Sequence, residues 1–150
     1  MIEDFEAYAA LFASARAEHM GPLKRRQAWY YFTSDVAQWA LHGFGAWGIE
    51  ERQTGDFLGQ IAISRPDHFP ETELGWFLLE GAEGKGIAFE AAQEARRFAQ
   101  DQLQLKTLVS YIAPGNHRSI KLAERLGAKL DPTASADDAN DLVYRHWGTA

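Results

Sequence analysis

The stretch that most constrains this chain is the strand-like run Glu73-Leu74-Gly75-Trp76-Phe77-Leu78-Leu79, which leads into Gly84-Lys85-Gly86 and then into an alanine-rich helical pattern. A strand that enters a helix through glycine can present backbone N–H groups to an anion. Glycine permits the close approach, and the helix N-terminus adds about half a positive charge. A phosphorylated ligand is implied, with an ordinary glycine-bearing turn as the plain alternative. Two phosphate motifs do not fit. The dinucleotide fingerprint needs glycine at residue 89 and an acid ending the next strand, where the chain has Phe89 and Ala113. Walker A needs glycine at residue 79 and Ser or Thr after Lys85, where the chain has Leu79 and Gly86.

The flanking elements follow from periodicity. Phe5, Tyr8, Leu11, Phe12 and Ala15 predict an amphipathic helix over 4–17 that stops before Gly21-Pro22. A second helix is predicted over 24–41. Its stripe of Trp29, Phe32, Val36 and Trp39 reads as core packing, and Gly43 closes it. The period then shortens: Phe44–Ile49 and Phe57–Ile63, separated by Thr54-Gly55-Asp56, predict a hairpin. Residues 73–79 form a third strand, 86–103 a long helix and 107–112 a further strand. Asn116 then N-caps a helix that Gly127 ends, and 142–146 form a last strand after the acidic turn 137–141, which reads as a solvated loop. This order predicts an α/β chain of the α+β type with a mixed sheet, as one domain over 1–150.

Composition excludes several classes of function. With 21 acidic against 15 basic residues, a net charge of −6 disfavours nucleic acid and anionic membranes and attracts a cationic substrate. The chain has no cysteine, hence no disulfide, thiolate metal site or Cys nucleophile. Its five histidines show no ligand spacing, so no metal is expected. The acidic start, Met1-Ile2-Glu3-Asp4-Phe5-Glu6, is unlike a signal peptide, and a cytoplasmic protein is expected.

Two linked motifs carry a family resemblance. Residues 73–79 followed by Glu83-Gly84-Lys85-Gly86-Ile87-Ala88-Phe89-Glu90-Ala91 resemble the core motif of the GNAT superfamily of N-acetyltransferases. The run Asn116-His117-Arg118-Ser119 through Gly127-Ala128 resembles that superfamily's Asn-x-x-Ser helix. Ala123, a tyrosine in many acetyltransferases, is similar to the branch that includes enzymes acetylating ribosomal-protein N-termini. The chain departs from the pattern at Glu83, where Gln or Arg is usual, and in lacking the family's first strand before residue 4.

The resemblance implies a mostly antiparallel twisted sheet flanked by helices, and acetyl-CoA as cosubstrate. Its pyrophosphate would rest on the backbone of Gly84, Lys85, Gly86, Ile87 and Ala88. Its pantetheine arm would pair with Phe77, Leu78 and Leu79 and touch Asn116, with the Leu79 N–H facing the thioester oxygen. The acceptor would be an amine, on a small molecule or a protein N-terminus. Attack needs a base, because an α-amine titrates near 7.7–8.0 and lysine near 10.4. Glu73 is the expected base, against a plain surface glutamate. Ser119 and Tyr111 compete to protonate the leaving thiolate, with Ser119 first. Arg118 could reach a phosphate, with a solvated helix arginine as the preferred reading. A non-catalytic acyl-CoA sensor is the alternative, and a structural subunit using Trp39 and Trp147 is a third reading. An open edge at Phe44–Ile49 would favour a homodimer.

Overall fold

Residues 1–148 are described by a computed structural model, so Thr149 and Ala150 of the expected domain lie outside it. The first amphipathic run folds as α1 (Phe5–Phe12) and stops well short of residue 17. Ser14 is the reason. Its hydroxyl donates to the Leu11 carbonyl at 2.7 Å and accepts from the Arg16 N–H at 3.2 Å, diverting the backbone into a 3-10 turn, Ala15–Ala17. Helix α2 (Arg25–His42) runs to Gly43, whose φ of +74° forms the left-handed cap.

Of the predicted α2 stripe, Phe32 alone is buried in the core. Ala28, Phe32 and Gln38 are buried, whereas Trp29, Val36 and Trp39 are 39%, 58% and 37% exposed. The helix is turned so that Trp29 meets Phe5 edge-on, and Trp39 meets Trp47 edge-on while its indole N–H donates to the Ala46 carbonyl. Trp29, Val36 and Trp39 therefore border the core, and the inward face carries the polar Asp35 and Gln38 beside Ala28 and Phe32. Gln38 is satisfied by the Arg65 N–H at 2.9 Å.

The sheet is built from β1 (Ala46–Glu50), β2 (Phe57–Ser64), β3 (Glu73–Leu78), β4 (Leu108–Ile112), β5 (Lys129–Leu130) and β6 (Leu142–Trp147). Its order is β1-β2-β3-β4-β6-β5. Every neighbouring pair is antiparallel except β3 with β4, so the sheet is mixed, as expected. Strand β5 was not legible in the sequence because two residues carry no period. Among the described residues no strand precedes α1, and β1 ends the sheet.

The two faces differ in what they bury. Helix α3 (Ile87–Asp101) lies on one face and packs through Ala92, Ala95 and Ala99, whose small side chains bring it close to Ile61, Ile63 and Leu74. Helices α1 and α2 cover the other with an aromatic cluster, in which Tyr8 and Phe12 meet Phe77 at 5.5 and 5.8 Å between centroids. Such aromatic pairs add about 0.5–1.5 kcal/mol each beyond area burial. Helix α4 (His117–Arg125) follows β4 and buries Ala123 against Ile112 and Tyr144.

Candidate active site

The site begins where β3 parts from β4. Their only paired register is Glu73 with Val109, where the Val109 N–H donates to the Thr72 carbonyl at 3.1 Å. One step on, the Ser110 hydroxyl takes the place of a ladder amide and donates to the Leu74 carbonyl at 2.6 Å. Ser110 Oγ also lies 3.0 Å from His146 Nε2. With the serine proton on Leu74, the imidazole is the donor of that second bond, and His146 carries its proton on Nε2. Burial, with the Arg96 charge nearby, pushes His146 down to about 3, so this wedge is uncharged at neutral pH.

Strand alternation identifies which amides face the gap. Thr72 and Leu74 point their carbonyls toward β4, and the Leu79 N–H donates the other way, to the Leu58 carbonyl at 2.8 Å. Trp76 and Leu78 therefore turn their N–H and C=O groups toward the gap, beyond the last β3–β4 pair. This corrects the expected oxyanion donor: Leu79 N–H is committed to β2, and the amide aimed at the gap is that of Leu78. Phe77 faces β2 as well, and its ring fills the α1–α2 core.

The glycine turn leaves β3 beside that gap. Gly81, Gly84 and Gly86 have φ of +81°, +73° and +81°, which glycine adopts without the steric penalty of a Cβ. Gly86 caps α3 without a side-chain bond, and the first helical bond runs from the Glu90 N–H to the Gly86 carbonyl. The N–H groups of Ile87, Ala88 and Phe89 thus open the helix without intrahelical partners. A Cβ built on Gly84 or Gly86 would meet nothing within 4 Å, so the space above the turn is clear of protein. Lys85 is exposed there.

A groove of about 1060 Å³ runs past this turn, lined by Trp76, Phe77, Leu78, Glu83, Gly84 and Ala88 on one side and Gly115 to Ser119 on the other. Asn116 N-caps α4 by accepting from the Ser119 N–H at 3.2 Å. Ser119 Oγ accepts from Trp76 Nε1 at 3.2 Å, which leaves its own proton free to donate. Glu83 does not sit free: Arg16 and Arg118 each bond one of its oxygens, at 2.5 and 2.9 Å. Another hollow, of about 430 Å³ between β1 and α3, holds none of the expected site residues.

Glu73 lies on the α1–α2 face of the same strand, apart from the groove lining. It is half-buried, and burial pushes its carboxyl up to about 7 against a backbone bond from Tyr111, with Asp35 and Asp141 adding negative charge. The Ser64 hydroxyl approaches Glu73 Oε2 at 3.5 Å. Asp35, on the inward face of α2, accepts from Gln60 Nε2 at 2.9 Å and the Tyr8 hydroxyl at 3.3 Å, both on Oδ2. Burial raises its carboxyl too, more than those two bonds lower it. The acidic turn is solvated over 137–140, as expected, while Asp141 at its end is half-buried and adds negative charge at Glu73.

Tyr111 is not brought to the groove. Its hydroxyl accepts from the Glu71 N–H at 3.0 Å, and burial raises its phenol. Asp35, Gln60 and Tyr8 were missed in the sequence. Asp35 did break the apolar run of α2, but a single acid on a helix reads as solvated until the helix is seen to present it inward.

Comparisons with known proteins agree with this fold. Residues 1–129 match the family model of the acetyltransferase (GNAT) domain. The chain is 46% identical to a crystal structure of the acetyltransferase from Agrobacterium tumefaciens, with a TM-score of 0.94, covering 97% of this chain and 85% of that one. Its fold also matches the ribosomal-protein-alanine N-acetyltransferase from Brucella melitensis at 19% identity and a TM-score of 0.69, over 97% of this chain and 94% of that one. Among curated proteins it is 32% identical to the uncharacterized YkkB of Bacillus subtilis over 105 residues, 69% of this chain and 61% of that protein. The chain thus spans about three-fifths of that relative's length. The chain belongs to the GNAT family of acetyltransferases.

Proposed function

We propose that this acetyltransferase moves the acetyl group of acetyl-CoA directly to the amine of a cationic acceptor, with Glu73 as the general base. The observation that carries the reading is a half-buried carboxylate without an ion-pair partner among the described residues, on the strand that leads to the open groove beside Trp76 and Leu78, where burial pushes it up to about 7. At neutral pH about half of such a carboxylate is ionised, close to the optimum for a base. It has no cation of its own among the described residues, and the negative charge that Asp35 and Asp141 add beside it attracts an ammonium group. A protein N-terminus and a small-molecule amine both carry that charge.

The residues fit acetyl-CoA. The gap beside Trp76 and Leu78 has the backbone groups to pair with an extended amide chain, and the uncapped start of α3 suits a pyrophosphate. The cosubstrate supplies an activated acyl thioester. Glu73 takes a proton from the acceptor's ammonium, directly or through one water, and the neutral amine so formed attacks the thioester carbonyl. The Leu78 N–H stabilises the charge that develops on the thioester oxygen, a role for which a single donor is worth about 10²–10³ in kcat. The Ser119 hydroxyl, oriented by Trp76, donates toward the leaving sulfur. Asn116 keeps its capping role and stiffens that serine's helix.

A cytoplasmic location and a single domain over 1–150 belong to the same reading. Among the described residues no helix is long and apolar enough to cross a membrane. A homodimer through the edge of β1 is part of it too, checked by light scattering. Function is tested with radiolabelled acetyl-CoA against a panel of amines, alongside melting temperature with CoA. Transfer to cationic amines supports the proposal. A thermal shift with CoA but no transfer to any amine would replace it with the acyl-CoA sensor.

A further inference from the structure

The Glu83 departure from the family pattern places a carboxylate where a phosphate must pass. Left alone it would repel the cofactor. It is not alone: Oε1 is bound by Arg16 Nη2 at 2.5 Å and Oε2 by Arg118 Nη1 at 2.9 Å. Arg16 comes from the 3-10 turn after α1 and Arg118 from the first turn of α4, so this bridge crosses the groove from wall to wall beside Gly84. We propose that Arg16 and Arg118 are phosphate-binding side chains of the acetyl-CoA groove, and that Glu83 occupies their site as an internal competitor which a cofactor phosphate displaces. This rests on the groove being the acetyl-CoA site.

Three observations converge. First, two guanidinium groups share the one carboxylate of Glu83, with Glu18 the other acid lining the groove, and the guanidinium fork donates to phosphate oxygens as readily as to carboxylate oxygens. Second, Arg16 Nε is buried without a protein partner, so the fork that holds Glu83 has a donor left over for a ligand with more acceptor oxygens. Third, Arg118 stands in the first turn of a helix, where the macrodipole disfavours a cation and an anion is the natural complement. The bridge is also built to open. The Arg118 side chain is 81% exposed and that of Glu83 36%, and exposed ion pairs are weak. A phosphate with greater charge and more acceptors outcompetes a single carboxylate, and the carboxylate's return favours release of the CoA product.

Calorimetry on the full chain with CoA, dephospho-CoA and pantetheine tests the competition. Glu83→Gln removes the competing charge and keeps the side chain's size, so CoA should bind about two- to fivefold tighter. Arg16→Ala should weaken CoA and abolish the gain when combined with Glu83→Gln. Pantetheine, which has no phosphate, should bind all variants alike. If dephospho-CoA also gains, the pyrophosphate is the displacing group; if only CoA gains, it is the 3′-phosphate. Weaker or unchanged CoA binding in Glu83→Gln would overturn the proposal, as would an equal change with pantetheine. Wild-type protein that binds no CoA would instead remove the cofactor reading on which it rests.

Discussion

Glu71 and Glu73 stand two residues apart at the start of β3, yet their surroundings make opposite groups of them. Arg145 holds Glu71 through paired bonds of 2.8 Å and bonds Asp131 at 2.7 Å. The hydrogen bond from Arg145 keeps Glu71 below the usual carboxylate range and helps bring Asp131 down to about 2. Glu73 is burdened by burial and by two other carboxylates and rises to about 7. A buried carboxylate with a cation is a structural tie that stays ionised. One without a cation is a proton acceptor poised near neutrality and a place for a cationic ligand. The difference also disfavours Glu71 as a base, because Arg145 lowers its basicity.

The largest test of this contrast is Glu73→Gln, which keeps the shape and removes the basicity. We expect kcat/KM to fall by about 10²–10⁴ near pH 7 and to recover as pH approaches the acceptor's own pKa. The wild-type acid limb near pH 7 should disappear. A wild-type pH–rate profile in the variant would mean the base lies elsewhere.

Arg145→Met attacks the other side. It leaves Glu71 and Asp131 without their cation, and breaking the buried pair with Glu71 costs about 3 kcal/mol or more. Urea unfolding should show a lower midpoint with an unchanged m-value, while the acid limb of any remaining activity stays near pH 7.

The two carboxylates should also differ in how stability depends on pH. Glu73 binds its proton more tightly folded than unfolded. Between about pH 4.5 and 7 the native state therefore holds more protons, and its contribution to stability falls as pH rises through that window. Glu71 works the opposite way, with stability present above its unfolded value and lost as pH falls below it. Glu73→Gln should flatten the decline and be more stable than wild type at pH 8 by about 1–3 kcal/mol. Denaturant midpoints across pH 4 to 8 measure this, and identical slopes in the two proteins would refute it.

Asp35→Asn gives the smallest expected effect and sharpens the role of the negative charge beside Glu73. Removing a neighbouring negative charge lowers the Glu73 carboxyl, so the acid limb should move below 7. KM for cationic acceptors should rise about tenfold, consistent with loss of one charge-assisted contact. An unchanged limb and KM would detach Asp35 from acceptor binding.

What the sequence determined by itself is local in origin. The glycine turn, the strand before it, the cap at Asn116 and the Gly43 stop depend on backbone freedom and on neighbours a few residues away, so their boundaries were readable. Glu73 was recognisable as a candidate because its motif is contiguous. The tertiary structure decided everything that depends on which way an element is turned or what lies across from it. It rotated α2 so that Asp35 faces inward and Trp29, Val36 and Trp39 lie at the rim. It moved the gap-facing amide from Leu79 to Leu78, because hydrogen-bonding direction alternates along a strand and only the partner strand fixes its phase. It joined Glu83 to Arg16 and Arg118, and Glu71 to Arg145, across separations of 35 to 74 residues that no local pattern records. Charge carries no period: a carboxylate's role as tie or base depends on whether folding brings a cation to it, and that is a property of the assembled chain.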